Sequence, residues 1–143
     1  MIRNISAKQL YKMVEGPEEL ALIDVREEGD FGMAHILLCA NIPLSHLEIR
    51  MPDLVPRKAT PIVICDEDGI DAQTAAQKLE RFGYTDVSIL EGGVKEWGKA
   101  GFEIFSGLNV PSKAFGEFIE HAYGTPSVSA EELKAMMDNK EDI

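Results

Sequence analysis

Short apolar runs alternate with amphipathic stretches over most of the chain. Two short, mainly apolar runs lie at residues 20–25 and 61–65, each followed by a charged residue, which is typical of buried strands. Residues 86–90 predict another strand. Residues 72–82 place alanine and larger apolar side chains on one stripe of a helix, and Gly83 supplies the stop that ends it. The pattern predicts strands and helices in alternation.

Weaker signals add further elements. Ser6 and Gln9 match a capping box, which opens a helix. Residues 39–42 predict a short strand, and residues 44–51 predict another helix. The economical arrangement of alternating strands and helices is an α/β fold, in which a parallel sheet carries helices on both faces. Sites in such folds lie beyond the carboxyl ends of the strands, which here directs attention to the segment after Ile64.

The composition adds constraints on location and partners. The chain has 143 residues, of which 45% are hydrophobic and 27% charged, as expected for a soluble globular domain. No segment approaches the ~20 apolar residues that span a membrane, and the start lacks a signal-peptide pattern. We therefore expect a cytoplasmic location. The net charge of -11 argues against nucleic acid or a membrane surface as a partner, and it repels small anions.

The two cysteines, Cys39 and Cys65, are far apart in sequence. Two cysteines do not make a disulfide framework, so we expect reduced thiols of which one or both are buried. His35 precedes Cys39 by four residues, but a pair of ligands is insufficient to predict a zinc site. The sequence predicts no metal and no cofactor.

A helix signal near the end of the chain repeats the first one. Residues 128–133 match residues 5–10 in type, and Met136 then corresponds to Met13. A repeat at the spacing of a whole domain predicts a tandem array, so we expect this chain to be part of a longer protein. The predicted organisation is a domain over residues 1–105, a connector over 106–127 with a helix near 114–121, and the start of a truncated second repeat over 128–143.

Two stretches of the chain resemble rhodanese domains. The first has a strand that ends in Asp-x-Arg, then an acidic-aromatic pair, His-Ile and Asn-Ile-Pro, at Asp24, Arg26, Asp30, Phe31, His35, Ile36 and residues 41–43. The second stretch has the strand at 62–65 followed by Gly69, Ala75, Ala76, Leu79, Gly83, Gly92, Gly93 and Trp97. The order and spacing of these motifs cover roughly residues 6–102.

The resemblance implies a three-layer fold, in which a central, mainly parallel sheet of about five strands has helices on both faces. It also implies a sulfurtransferase ancestry, with a small sulfur donor such as thiosulfate as the usual substrate. The connector is similar to the linker of bacterial proteins with several rhodanese domains in series. Neighbouring rhodanese domains of the same longer chain are therefore the expected partners.

The family's active loop reads Cys-x-x-Gly-x-Arg, between a strand and the N-terminus of a helix. Aligning on Gly69 places Asp66 in the cysteine position and Asp71 in the arginine position. The loop thus consists of Asp66, Glu67, Asp68, Gly69, Ile70 and Asp71, with four carboxylates and no cation. These charges repel an anionic donor and disfavour a nearby thiolate. The resemblance therefore implies a rhodanese module without catalytic activity, with a structural or regulatory role in a multi-domain sulfurtransferase.

Three other interpretations remain open from the sequence. Cys65 carries a persulfide if the loop is active despite the offset of one residue. Cys65 and Asp71 also match the loop length of the related Cys-x5-Arg phosphatases, although aspartate replaces the phosphate-binding arginine. The acidic loop could instead bind a cation or a partner, since carboxylate oxygens suit hard cations. Asp24, Arg26 and His35 are expected to support the site by hydrogen bonds, without taking part in chemistry.

Overall fold

The computed structural model describes residues 2–108, 110–124 and 126–139. Five strands form one parallel sheet, with the order β1-β5-β4-β2-β3. The strands are β1 (Arg3–Ile5), β2 (Ala21–Asp24), β3 (Ala40–Asn41), β4 (Ile62–Cys65) and β5 (Val87–Leu90). The helices among the described residues are α1 (Ala7–Val14), α2 (Glu28–Met33), α3 (Leu47–Leu54), α4 (Ile70–Arg81), α5 (Gly93–Lys99), α6 (Val110–Tyr123) and α7 (Ala130–Asp138).

Alternation along the strands sends side chains to two separate apolar clusters. In β4, Ile62 and Ile64 join the cluster formed with α3 and α4, whereas Val63 and Cys65 join the cluster formed with α1 and α5. This is the period of two that strand geometry dictates. Helices therefore cover both faces of the sheet, and the predicted three-layer α/β fold with a five-stranded parallel sheet is confirmed.

Some elements differ from the sequence prediction. β1 and α2 are not predicted at all, and the helix expected over 44–51 lies at Leu47–Leu54, with Pro52 inside it. Pro52 removes one backbone donor, but Met51 is fully buried and its carbonyl accepts from the Val55 N–H at 2.9 Å. The buried contact and this closing hydrogen bond hold the last turn beyond the proline.

The chain divides into one compact unit that ends at Val110 and a second that begins at Pro111. α6, which begins at the last residue of the first unit, is longer than the helix predicted near 114–121. α7 begins with a capping box of Ser129 and Glu132, the same device that Ser6 and Gln9 form at α1. Residues 140–143 of the predicted second repeat lie outside the described residues. In the described part of the chain, every helix is too short or too polar to cross a bilayer.

Candidate functional site

The loop between β4 and α4 is closed by the side chain of Asp66. Its carboxylate is buried, with 2% of the residue exposed. One oxygen accepts from the Gly69 backbone N–H at 2.5 Å and the other from the Ala72 N–H at 3.0 Å. Gly69 adopts a φ of 103°, which turns the chain into α4. The carboxylate thus occupies the centre of the loop. It accepts hydrogen bonds from backbone N–H groups at the start of a helix, which is where anions bind favourably.

The remaining loop carboxylates lie at the surface. Glu67 pairs with Lys95 of α5 at 2.8 Å. The hydrogen bond and charge of Lys95 lower the pKa of Glu67. Asp68 accepts from the Ile70 N–H at 3.3 Å, and Asp71 lies in the first turn of α4. The negative charges of Asp68 and Asp71 are stabilised by the positive end of the α4 dipole.

A cleft of about 630 Å³ opens beside the loop at the carboxyl ends of β2 and β4. Two cations line it, Arg26 and Lys78, and both are already paired, Arg26 with Asp24 and Lys78 with Glu48. The carboxylates that line the cleft are Glu27, Asp30, Asp66, Glu67, Asp68 and Asp71. The cleft therefore presents an excess of negative charge.

Cys65 lies outside this cleft. It is fully buried, and it packs with Leu10 and Trp97 in the cluster formed with α1 and α5. Its sulfur lies 3.6 Å from the sulfur of Cys39. The loop brings Asp66 to the cleft, and the strand places the neighbouring Cys65 on the opposite side.

Asp24 and Arg26 form a buried pair at the end of β2. The Arg26 Nε and Nη2 atoms donate to the two Asp24 carboxylate oxygens, at 3.1 Å or less, and Nη2 also donates to the Ala34 carbonyl at 2.6 Å. Burial acts to lower the pKa of Arg26, but its hydrogen bonds to Asp24 and the Asp24 charge outweigh this and raise it. The pair fixes the path of the chain from β2 to the turn before β3.

The surroundings of His35 indicate a structural role. It is buried, its ring stacks on Phe31 with centroids 4.1 Å apart, and its Nδ1 lies 2.9 Å from the Phe31 carbonyl oxygen. The His35 backbone pairs with Phe105 in both directions. The ring therefore lies away from the cleft, and it holds the segment after α5 against the turn after α2.

Gly93 is a supporting residue that the sequence prediction does not identify. At its φ of 59°, an added Cβ would lie 2.4 Å from the Asp66 carbonyl oxygen and 2.6 Å from Glu67 backbone atoms. The next residue, Val94, donates its N–H to the same Asp66 oxygen at 2.8 Å. The doubled glycine after β5 is the one signal in the sequence, since glycine permits close approach of two backbones.

Replacing Arg26 by methionine is expected to lower the free energy of unfolding by about 3 kcal/mol, because it leaves Asp24 buried without its guanidinium partner. Asp24 is 0% exposed, and Arg26 9%. The matched control is Arg57→Met. Its partner Glu19 and Arg57 itself are 57% and 69% exposed, so a loss below about 1 kcal/mol is expected. Urea unfolding of both variants measures the difference, and equal losses would contradict the assignment.

Comparison with known proteins agrees with the fold. Residues 6–100 match the rhodanese-like domain family. A thiosulfate sulfurtransferase from Pseudomonas aeruginosa has a crystal structure similar to 97% of this chain, with a TM-score of 0.89 and 45% identity. This chain covers 26% of that protein's chain.

Two curated bacterial proteins are also similar. The uncharacterized protein YqhL of Bacillus subtilis is 39% identical over 83 residues, which span 58% of this chain and 64% of that protein. The thiosulfate sulfurtransferase GlpE of Shewanella oneidensis is 31% identical over 100 residues, spanning 68% of this chain and 94% of that one. The chain therefore belongs to the rhodanese-like domain family.

Proposed function

We propose that this domain is a non-catalytic rhodanese module with a structural or regulatory role in a multi-domain sulfurtransferase. The Asp66 carboxylate carries the proposal, because it accepts the Gly69 and Ala72 N–H groups that would otherwise be available to a thiolate or a bound anion. A carboxylate has no sulfur atom on which a persulfide could form. Asp71 supplies negative charge where the family's loop has an arginine.

The electrostatics of the cleft support the same conclusion. A donor such as thiosulfate is an anion, and it would enter a cleft in which six carboxylates face two paired cations. Repulsion between like charges at such short range disfavours both approach and binding. A domain that had retained turnover would need a free cation near the loop.

Two observations support a place in a longer, multi-domain protein. The similar Pseudomonas aeruginosa thiosulfate sulfurtransferase has a chain of which this one covers 26%. In this chain, α7 begins with the same capping box as α1. We infer that neighbouring rhodanese domains of the same chain, in the cytoplasm, are the partners through which the module acts.

The second candidate is a sulfurtransferase that carries a persulfide on Cys65. It is favoured by the presence of a cysteine directly before the loop, next to Asp66. It requires the buried Cys65 sulfur to leave the cluster formed with α1 and α5 and to reach the cleft. The donor would then have to approach an acidic loop.

The two candidates are separated by thiocyanate formation from thiosulfate and cyanide. The protein and its Cys65→Ser variant are expected to show equal, background rates, with the Shewanella oneidensis GlpE protein as a positive control. The reason is that Cys65 is fully buried and Asp66 fills the loop. A rate in the unmodified protein that disappears in Cys65→Ser would overturn the proposal and establish the second candidate.

A further inference from the structure

A groove of about 390 Å³ lies at the amino ends of β2 and β4, on the opposite edge of the sheet from the cleft beside the loop. Apolar side chains form most of its walls, among them Ala21, Ile42 and Val55. Leu38 and Leu54 also line it, although they are 64% and 54% exposed. Its size falls in the range of ligand-binding pockets, and its walls suit apolar groups.

The strand edge in this groove is open. On the β4 side all four residues of β2 are paired, whereas pairing with β3 begins only at Ile23. The Ala21 N–H donates towards β4, to the Pro61 carbonyl, so the Leu22 N–H points the other way, towards β3. A continued ladder would give it the carbonyl of Leu38 as acceptor, but among the described residues none accepts from it.

The turn before β3 ends the ladder and places an apolar side chain at the rim of the groove. The Cys39 N–H donates to the Ile36 carbonyl at 3.1 Å, and Leu38 adopts a φ of 67°. Leucine seldom adopts this left-handed conformation, because it costs free energy. The fold thus keeps a strained residue at the rim, with its side chain exposed. Strain of this kind recurs where segments hold ligands.

Thr60 supplies a second polar group without a partner. It is 6% exposed and lines the groove. Its N–H donates to the Arg57 carbonyl at 3.2 Å, but within the described ranges no residue hydrogen-bonds its hydroxyl. Every fully enclosed side-chain polar atom of those residues has a partner, so this hydroxyl is reached from the groove. Buried polar groups are normally hydrogen-bonded, and here the partner must come from the occupant of the groove.

We propose that the groove binds an extended peptide segment of a partner protein, with apolar side chains in its middle and lysines on its flanks. A peptide carbonyl accepts from the Leu22 N–H, as when a strand is added to a sheet edge, and the Thr60 hydroxyl bonds the peptide backbone. An apolar peptide side chain packs between Leu38 and Leu54. The site lies away from the loop and does not depend on whether the loop is catalytic.

Charge selects this occupant over an apolar anion such as a fatty acid. Arg57, a cation that lines the groove, already pairs with Glu19, and both are exposed. The net charge of -11 therefore decides the field at the mouth of the groove, and it attracts lysine and repels a carboxylate. The same net charge disfavours a second copy of this chain, since like charges repel.

The test titrates the protein with the acetylated and amidated peptide Lys-Leu-Val-Leu-Lys and follows the backbone amides of the protein by NMR. Saturable shifts are expected at Leu22, Leu38 and Thr60, with a dissociation constant of about 1 mM or tighter. Glutamates in place of the two peptide lysines should weaken binding severalfold at low salt, and added salt should reduce that difference. Octanoate, an apolar anion, is expected not to bind.

Two variants separate binding from folding. Thr60→Val removes a hydroxyl that lacks a partner, so the urea midpoint should stay unchanged or rise while the peptide binds about two- to tenfold more weakly. Leu38→Asn removes the apolar rim, and asparagine tolerates the left-handed conformation, so the fold should persist while the peptide binds about tenfold more weakly. The matched control is Ile49→Asn, because Ile49 is 74% exposed and does not line the groove; its affinity should stay unchanged.

Several results would overturn the proposal. One is the absence of saturable shifts up to about 5 mM peptide, and another is a set of shifts confined to the cleft beside Asp66. Equal affinities in Thr60→Val, Leu38→Asn and Ile49→Asn would also contradict it. Tighter binding of octanoate would assign the groove to an apolar anion, and shifts of the same amides on dilution of the protein alone would assign it to a second copy.

Discussion

Gly93→Ala is expected to lower the free energy of unfolding by about 4 kcal/mol. The added methyl group would lie 2.4 Å from the Asp66 carbonyl oxygen and 2.6 Å from backbone atoms of Glu67, and backbone cannot rotate away as a side chain can. A left-handed conformation costs a non-glycine residue about 1–2 kcal/mol, and overpacking against fixed atoms adds about 1–3 kcal/mol. The loop would have to leave its place beside α5.

Gly83→Ala provides the matched control. Gly83 has a φ of 88°, and nothing lies within 4 Å of an added Cβ. This substitution therefore carries the conformational penalty alone, about 1–2 kcal/mol, and its φ lies further from the left-handed helical value of about 57° than that of Gly93. Urea unfolding gives both values. Equal losses in the two variants would show that the contact between Gly93 and the loop contributes nothing.

The consequences of Gly93→Ala should extend to the loop itself. Val94 donates to the Asp66 carbonyl, and Lys95 pairs with Glu67, so three consecutive residues of α5 hold two consecutive residues of the loop. A shift of this segment would expose the Asp66 carboxylate and release the Gly69 and Ala72 N–H groups. Hydrogen exchange at these two amides is therefore expected to accelerate in Gly93→Ala beyond what its global loss of stability explains, and in Gly83→Ala by no more than that variant's global loss explains.

The sequence was sufficient for the parts of the fold that strong periodic patterns encode. β4 and α4 were predicted because a β-branched run and an alanine stripe are long enough to be distinguished from loops. β1 has three residues and α2 has six, with two glycines. Such elements owe their conformation to pairing with β5 and to the burial of Phe31, which local patterns do not contain.

The same distinction applies to the site. The resemblance, aligned on Gly69, predicts that Asp66 and Asp71 stand in the family's cysteine and arginine positions. Contacts between distant segments could not be obtained in this way. The approach of Gly93 to the loop and of Cys39 to Cys65 depends on how β3, β4 and β5 are ordered in the sheet, and the sequence pattern leaves that order open.

The double substitution Asp66→Cys with Asp71→Arg is expected to create thiosulfate:cyanide sulfurtransferase activity. The introduced thiol would take the place of a carboxylate that now accepts the Gly69 and Ala72 N–H groups, which stabilise a thiolate at the start of α4. The introduced arginine supplies the cation for the donor's oxygens. Together these groups should raise thiocyanate formation roughly 100-fold or more above the unmodified protein.

Two control variants separate the contribution of the introduced thiol from that of the introduced arginine. Asp66→Ser with Asp71→Arg has the cation but no thiol, and it should remain at background. Asp66→Cys alone has the thiol without the cation. A hydrogen bond from a charged donor contributes about 1.5–3 kcal/mol, so this variant should be roughly ten- to a hundredfold slower than the double variant. Loss of the buried carboxylate costs about 1–3 kcal/mol of stability, so each rate is referred to the folded fraction measured by urea unfolding.

The outcome tests whether the side chains of Asp66 and Asp71 account for the proposed lack of activity. Activity that appears in the double variant and is absent from the serine control would mean that the cradle of backbone N–H groups survives intact, and that two side chains alone separate this domain from catalysis. If the double variant equals the serine control, the backbone around residues 66–71 has also diverged, or Glu67 and Asp68 at the cleft repel the donor too strongly. Adding Glu67→Gln and Asp68→Asn distinguishes these, because it restores turnover only when repulsion is the obstacle.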